Sequence, residues 1–109
     1  MENKKLAQEI LQMARLDQKT RKSIIKYAST WKKVQEIDRA NLVKLKRIVS
    51  RFGWPTITLV GKRASRMAWL LVQHADSDVK FQEQCLELMK KEKEIGLEPF
   101  EDHKKKLLW

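Results

Sequence analysis

No glycine or proline occurs in the first 52 residues, and this uninterrupted stretch is the strongest constraint on the fold. A chain without those residues is poorly equipped for tight turns, and here its apolar residues recur at helical spacing. On a helical wheel Leu6, Ile10, Met13, Ile24, Ala28 and Trp31 fall in one narrow arc. Arg15, Lys19, Lys22, Lys26 and Lys33 fall opposite. The pattern predicts a helix over about 3 to 35, or two helices with a break near Asp17–Thr20, because one unbroken helix of that length is unusual in a globular domain.

The next helix is expected from Asp38, read as its N-cap, to Phe52, with Leu42, Leu45, Ile48, Val49 and Phe52 as its core stripe. Lys44, Arg47 and Arg51 line its outside. Gly53 supplies a left-handed stop, and Pro55 forces Trp54 out of helical geometry. Thr56–Val60 is rich in β-branched residues, but no second strand exists to pair with it, so a helical turn or an extended linker is expected. Residues 62–75 are apolar nearly all round at Met67–Val72, the mark of a helix enclosed at the centre of a bundle. Ser77 or Asp78 caps a last helix from Val79 to about Ile95, with Phe81, Cys85, Leu86 and Met89 available inward. The fold class is therefore all-α, a compact bundle of four to six helices. One helical domain spans 1–96, and 97–109 form a short basic and apolar tail.

Composition excludes several classes of function. The single cysteine, Cys85, rules out an internal disulfide and a Cys-based zinc site, and it suits a reducing, cytoplasmic setting. No apolar run approaches membrane-spanning length, and the start has the character of an amphipathic helix rather than a signal peptide. No phosphate-binding glycine loop or nucleophile-elbow motif is present, and no metal or cofactor is expected. Charge is uneven. Residues 1–66 carry 17 Lys/Arg against 5 Asp/Glu, a net of +12, whereas residues 67–109 carry 7 against 9, a net of −2. That asymmetry predicts a basic exterior with weak, non-specific attraction to nucleic acid.

Polar residues break the apolar pattern in three places. Asp17 and Arg21 share the arc of Leu6, Ile10 and Met13; Asp38 and Asn41 share the stripe of Leu42 and Leu45; and His74, with Gln73 and Asp76, ends the buried helix. Each has a structural explanation: an i, i+4 ion pair, a helix cap, and an imidazole favoured by a helix C-terminus. Together they place acids, a guanidinium, carboxamides and an imidazole towards one interior. Buried charge is costly unless paired, so the set implies either a closed network or a wet pocket.

The segments Asp17-Gln-x-x-Arg21, Asp38-x-x-Asn41, Gly53-Trp-Pro-Thr56 and Val72-Gln-His-Ala-Asp76, with Asp78 and Phe81-Gln82 after them, resemble a bacterial family of small helical domains of unknown function. The resemblance runs over roughly residues 10–90 and implies that Asp17, Arg21, Asp38, Asn41, Gln73, His74 and Asp76 are family features. It carries no activity. Its members tend to end in an Asp-Arg pair and a Y-G-T-Q-like segment, and Glu98–Trp109 shows neither.

The leading functional expectation is a pocket for an anionic small molecule or nucleic-acid end, with hydrolase or transferase chemistry as its catalytic form. In that reading His74 is the acid or base and Asp38 or Asp17 orients it. Arg21 holds the anion, and Asn41, Gln73 and Asp76 bind the ligand. The alternative is a basic helical module that binds nucleic acid or an acidic protein through its exterior, with Trp31, Trp54 or Trp109 as an anchor.

Overall fold

The computed structural model describes residues 1–24 and 30–92. Among them are five helices and no strand: α1 (Lys4–Ile24), α2 (Trp31–Phe52), α3 (Ile57–Val60), α4 (Lys62–Gln73) and α5 (Val79–Glu92). The all-α bundle expected from periodicity is the fold.

Helix α1 starts where Asn3 Oδ1 accepts the Leu6 amide at 2.9 Å, an N-cap bond made by a residue type suited to it. The helix then runs without a break through Asp17–Thr20, so the interruption offered there as one of two alternatives does not occur. Its buried face follows one arc: Leu6, Ile10 and Met13, continued by Asp17 and Thr20. Thr20 tolerates that position because its hydroxyl donates to the Leu16 carbonyl at 2.8 Å.

Helix α2 begins at Trp31, seven residues before the expected start. Its N-cap is Thr30, which makes no side-chain capping bond. Asp38 is not a cap; it lies inside the helix, and its carboxylate is drawn to Arg21 instead. The earlier start also changes the fate of Trp31, expected in the core arc but 55% exposed. Val34, Asn41, Leu45 and Ile48 form the buried stripe. Gly53, at φ 76°, ends the helix in the left-handed region that favours glycine.

Trp54, a candidate surface anchor in the sequence, is buried and meets Trp69 edge to face at 6.5 Å between ring centres. Thr56 Oγ1 accepts the Leu59 amide at 3.2 Å, so the β-branched stretch resolves as one capped helical turn. Helix α4 lies at the centre, against α1, α2, α3 and α5. Ala64 and Ala68 on α4, with Ala7 and Ala14 on α1, keep the buried faces of those helices low in bulk. Trp69 and Val72 fill the space between them; full burial of a valine side chain such as Val72 contributes about 1.5–3 kcal/mol. Asp78, the alternative cap to Ser77, opens α5 by accepting the Phe81 amide at 3.0 Å. The expected end of that helix near Ile95, Gly96, Pro99 and the tail 97–109 all lie outside the described residues, as do Lys26 and Ala28.

Candidate functional site

Three chain segments meet at one end of the α1–α4 packing. The arc that buries Leu6, Ile10 and Met13 also buries Asp17, whose side chain has no solvent exposure. One turn later Arg21 lies at the edge of the core, a quarter exposed. Its guanidinium bonds Asp17 Oδ1 through Nη1, reaches Asp38 Oδ1 through the same nitrogen at 2.9 Å, and reaches Asp38 Oδ2 through Nη2 at 2.8 Å. The third segment is the C-terminus of α4. His74 caps that helix, its amide bonded to the carbonyls of Leu70 and Leu71, and its Nδ1 lies 2.9 Å from Asp17 Oδ1.

The electrostatics follow from this geometry. Burial pushes the Asp17 pKa up. The hydrogen bonds from His74 and Gln18 and the charges of His74 and Arg21 outweigh that effect and hold it below its ordinary value. Asp17 is therefore a carboxylate at neutral pH and can only accept hydrogen bonds. The proton between it and His74 must then belong to Nδ1, leaving Nε2 as the ring nitrogen free for a ligand.

Beside this cluster is an open cleft of about 190 Å³, lined by Arg21, Trp31, Gln35, Asp38, Arg39, His74, Asp76 and Ser77. The structure thus brings together Asp17, Arg21, Asp38 and His74, and sets Asp76 on the cleft wall. Gln73 is half-buried, and its backbone carbonyl accepts from Gln82 Nε2 at 3.3 Å. Asn41 lies one turn beyond Asp38, buried and outside the cleft lining, and its Nδ2 has no hydrogen-bond partner among the described residues. Arg21, expected to hold an anion, is engaged by two carboxylates; an incoming anion would have to displace one of them.

Asp17, Asp38 and His74 also offer ligand atoms within 4.8 Å of one another, a spacing a metal ion could use. The Arg21 guanidinium bonds both carboxylates there and supplies the positive charge the two acids need. Cys85 and Ser65, whose side chains could in principle act as nucleophiles, are both buried. Burial, with a smaller effect of Asp78, pushes the Cys85 thiol up to about 12, far from a reactive thiolate.

Gln35 and Arg39 were not expected at the site. Trp31, Gln35, Asp38 and Arg39 form one wall at i, i+4, i+7 and i+8. That spacing was visible, but beginning the helix at Asp38 split it between two elements. Gln82 is buried on α5 and donates to the Val72 carbonyl at 3.0 Å, tying α5 to the end of α4 just before His74.

A protein-family profile matches residues 4–102 of the chain. The chain belongs to DUF6624, a family of unknown function. No curated protein and no solved structure shows a significant match to it. The family carries no recorded activity, so any function for this DUF6624 domain has to be argued from the cleft.

Proposed function

We propose that the cleft beside His74 is a binding site for an anionic ligand, with His74 Nε2 as its proton donor or acceptor. The observation that carries this reading is the contact between His74 Nδ1 and a fully buried, ionised Asp17. A carboxylate behind an imidazole fixes its tautomer and its orientation, which is what acid–base work requires. Arg21 holds Asp17 and Asp38 in place rather than holding the ligand. The cation offered to an anion is Arg39, which is exposed, lines the cleft and makes no ion pair among the described residues. Hydrolase or transferase chemistry is the catalytic form of this reading. The same reading takes the Asp17–Arg21, Asp38–Asn41 and Val72–Asp76 motifs as features of a bacterial, cytoplasmic family.

The test is a thermal-shift screen of phosphorylated and carboxylated metabolites on the wild type, His74→Ala and Arg39→Gln. At least one compound should raise the wild-type melting temperature and leave both variants unmoved. No shift in any protein, or equal shifts in all three, would remove the cleft from consideration.

A second reading has its own observation. Lys5, Arg47 and Arg51 line a groove between α1 and α2, and Arg15, Lys19, Lys22 and Lys44 are exposed on the same two helices. This surface suits the backbone of a nucleic acid, although Arg47 is paired with Glu9 at 2.8 Å.

A further inference from the structure

We infer that the ligand of the His74 cleft is a nucleotide, free or at the end of a strand, whose base stacks on Trp31 and whose phosphate meets Arg39. The inference rests on the anion-site reading and adds the class of ligand.

Trp31 lines the cleft yet is 55% exposed, so a large aromatic face stands at its mouth. Such a face beside polar groups is a platform for another flat ring, and stacking accepts any base because each has a π-face. Gln35 follows one turn later on the same wall, exposed, with a carboxamide that can both donate to and accept from a base edge. Arg39 ends the wall. Its planar fork matches phosphate oxygens, and eight residues of helix separate it from Trp31 by about 12 Å, room for a sugar between ring and phosphate.

The opposite wall completes the fit. Asp76 is the acidic lining residue left outside the Arg21 pair; it is exposed, and among the described residues its Oδ1 accepts a long 3.4 Å bond from Gln82. A carboxylate in that place repels a bare anion but accepts hydrogen bonds from sugar hydroxyls, the role an acidic residue has towards ribose in dinucleotide sites. Cleft size points the same way. About 190 Å³ is below the roughly 300–1,000 Å³ of clefts and cavities that take in most of a small ligand. A sugar phosphate can enter, while the base remains outside against the exposed indole.

Calorimetric titration of the full chain with AMP, adenosine and ribose 5-phosphate tests this. AMP should bind at least about tenfold more tightly than either fragment. Trp31→Ala should weaken AMP about tenfold or more, the usual effect of losing one stacked base, and leave ribose 5-phosphate unchanged. Arg39→Gln should reduce AMP to the affinity of adenosine. Trp31 and Arg39 are both exposed, and circular dichroism checks that each variant is folded. A 5′-phosphorylated hexanucleotide and its unphosphorylated form separate the sources. Binding of the phosphorylated strand alone assigns a strand end, and binding of AMP without either strand assigns the free nucleotide. The inference is overturned if neither AMP nor the phosphorylated strand binds, if Trp31→Ala leaves the affinity of whichever binds intact, or if ribose 5-phosphate binds as tightly as AMP. Ribose 5-phosphate binding that disappears in His74→Ala and Arg39→Gln, with no preference for AMP, would end the nucleotide inference and keep the anion site.

Discussion

His74 donates from Nδ1 to Asp17 Oδ1 across 2.9 Å, and the accepting side chain has no solvent exposure. The two residues are 57 apart in the chain and come from the middle of α1 and the end of α4. Asp17 does not depend on His74 alone: Gln18 Nε2 reaches its Oδ2 at 2.8 Å, and Arg21 bonds its Oδ1. The imidazole is therefore one of three partners, and the guanidinium is the one that joins both acids.

This arrangement predicts an order of stability losses. Arg21→Leu leaves Asp17 and Asp38 without the guanidinium that joins them and should cost about 3 kcal/mol, the low end for a broken buried pair because Arg21 is partly solvated. His74→Ala leaves Asp17 two partners and should cost about 1.5 kcal/mol, the low end for a hydrogen bond to a charged group. Urea denaturation of the two variants measures the order. A loss in His74→Ala as large as that in Arg21→Leu would make the imidazole a structural group before anything else.

Acid should act through Asp17. Its folded pKa lies below the ordinary value, so its contribution is fully present above the unfolded pKa of about 3.9 and is lost as pH falls through the lower folded value. Stability should decline with falling pH across that window, and Asp17→Asn should flatten the decline. Some slope should remain. Asp78 is also held low, by its bond with Lys46 first and the Phe81 amide second, although its exposure makes that share small. Urea midpoints measured from about pH 5 down to pH 2 check the difference; identical pH profiles for wild type and Asp17→Asn would exclude Asp17 as the source.

Cys85 should be inert in the folded protein. Its thiol is buried and pushed up to about 12 by that burial, so a disulfide reagent at neutral pH should label it only as fast as the protein opens. The measurement is labelling with and without denaturant. Rapid native-state labelling would show that the α5 packing around Cys85 opens readily.

The basic exterior should bind polyanions weakly. Lys19, Lys22 and Lys44 are exposed on α1 and α2, and their replacement by Glu should abolish low-salt binding to duplex DNA. In the wild type that binding should collapse towards physiological salt, where the Debye length is about 8 Å. Tight, sequence-selective binding that survives physiological salt and disappears in the triple variant would place the exterior reading ahead of the cleft.

Much of the fold was legible without coordinates, because helical periodicity is a local property. The spacing of Leu6, Ile10 and Met13 places Asp17 on a buried face, the glycine at 53 ends a helix, and the apolar circumference at Met67–Val72 marks the central helix. Capping was less legible. Aspartate is favoured at helix starts, which drew the boundary to Asp38, but the Arg21 guanidinium across the bundle claims that carboxylate. The misplaced boundary cost the cleft wall, since Trp31, Gln35 and Arg39 share a face only if the helix already runs through them.

From the sequence alone follow the class of the fold, the inward direction of Asp17 and Arg21, and the excess of positive charge on the first two helices. Tertiary structure alone decided which acid meets the imidazole, that Arg21 is committed to two carboxylates, and that Asn41 lies apart from the cleft. The reason is physical. A residue's face on its helix is set by neighbours three and four positions away, whereas its partner is set by how whole helices pack, and no local spacing records that the end of α4 lands against the middle of α1.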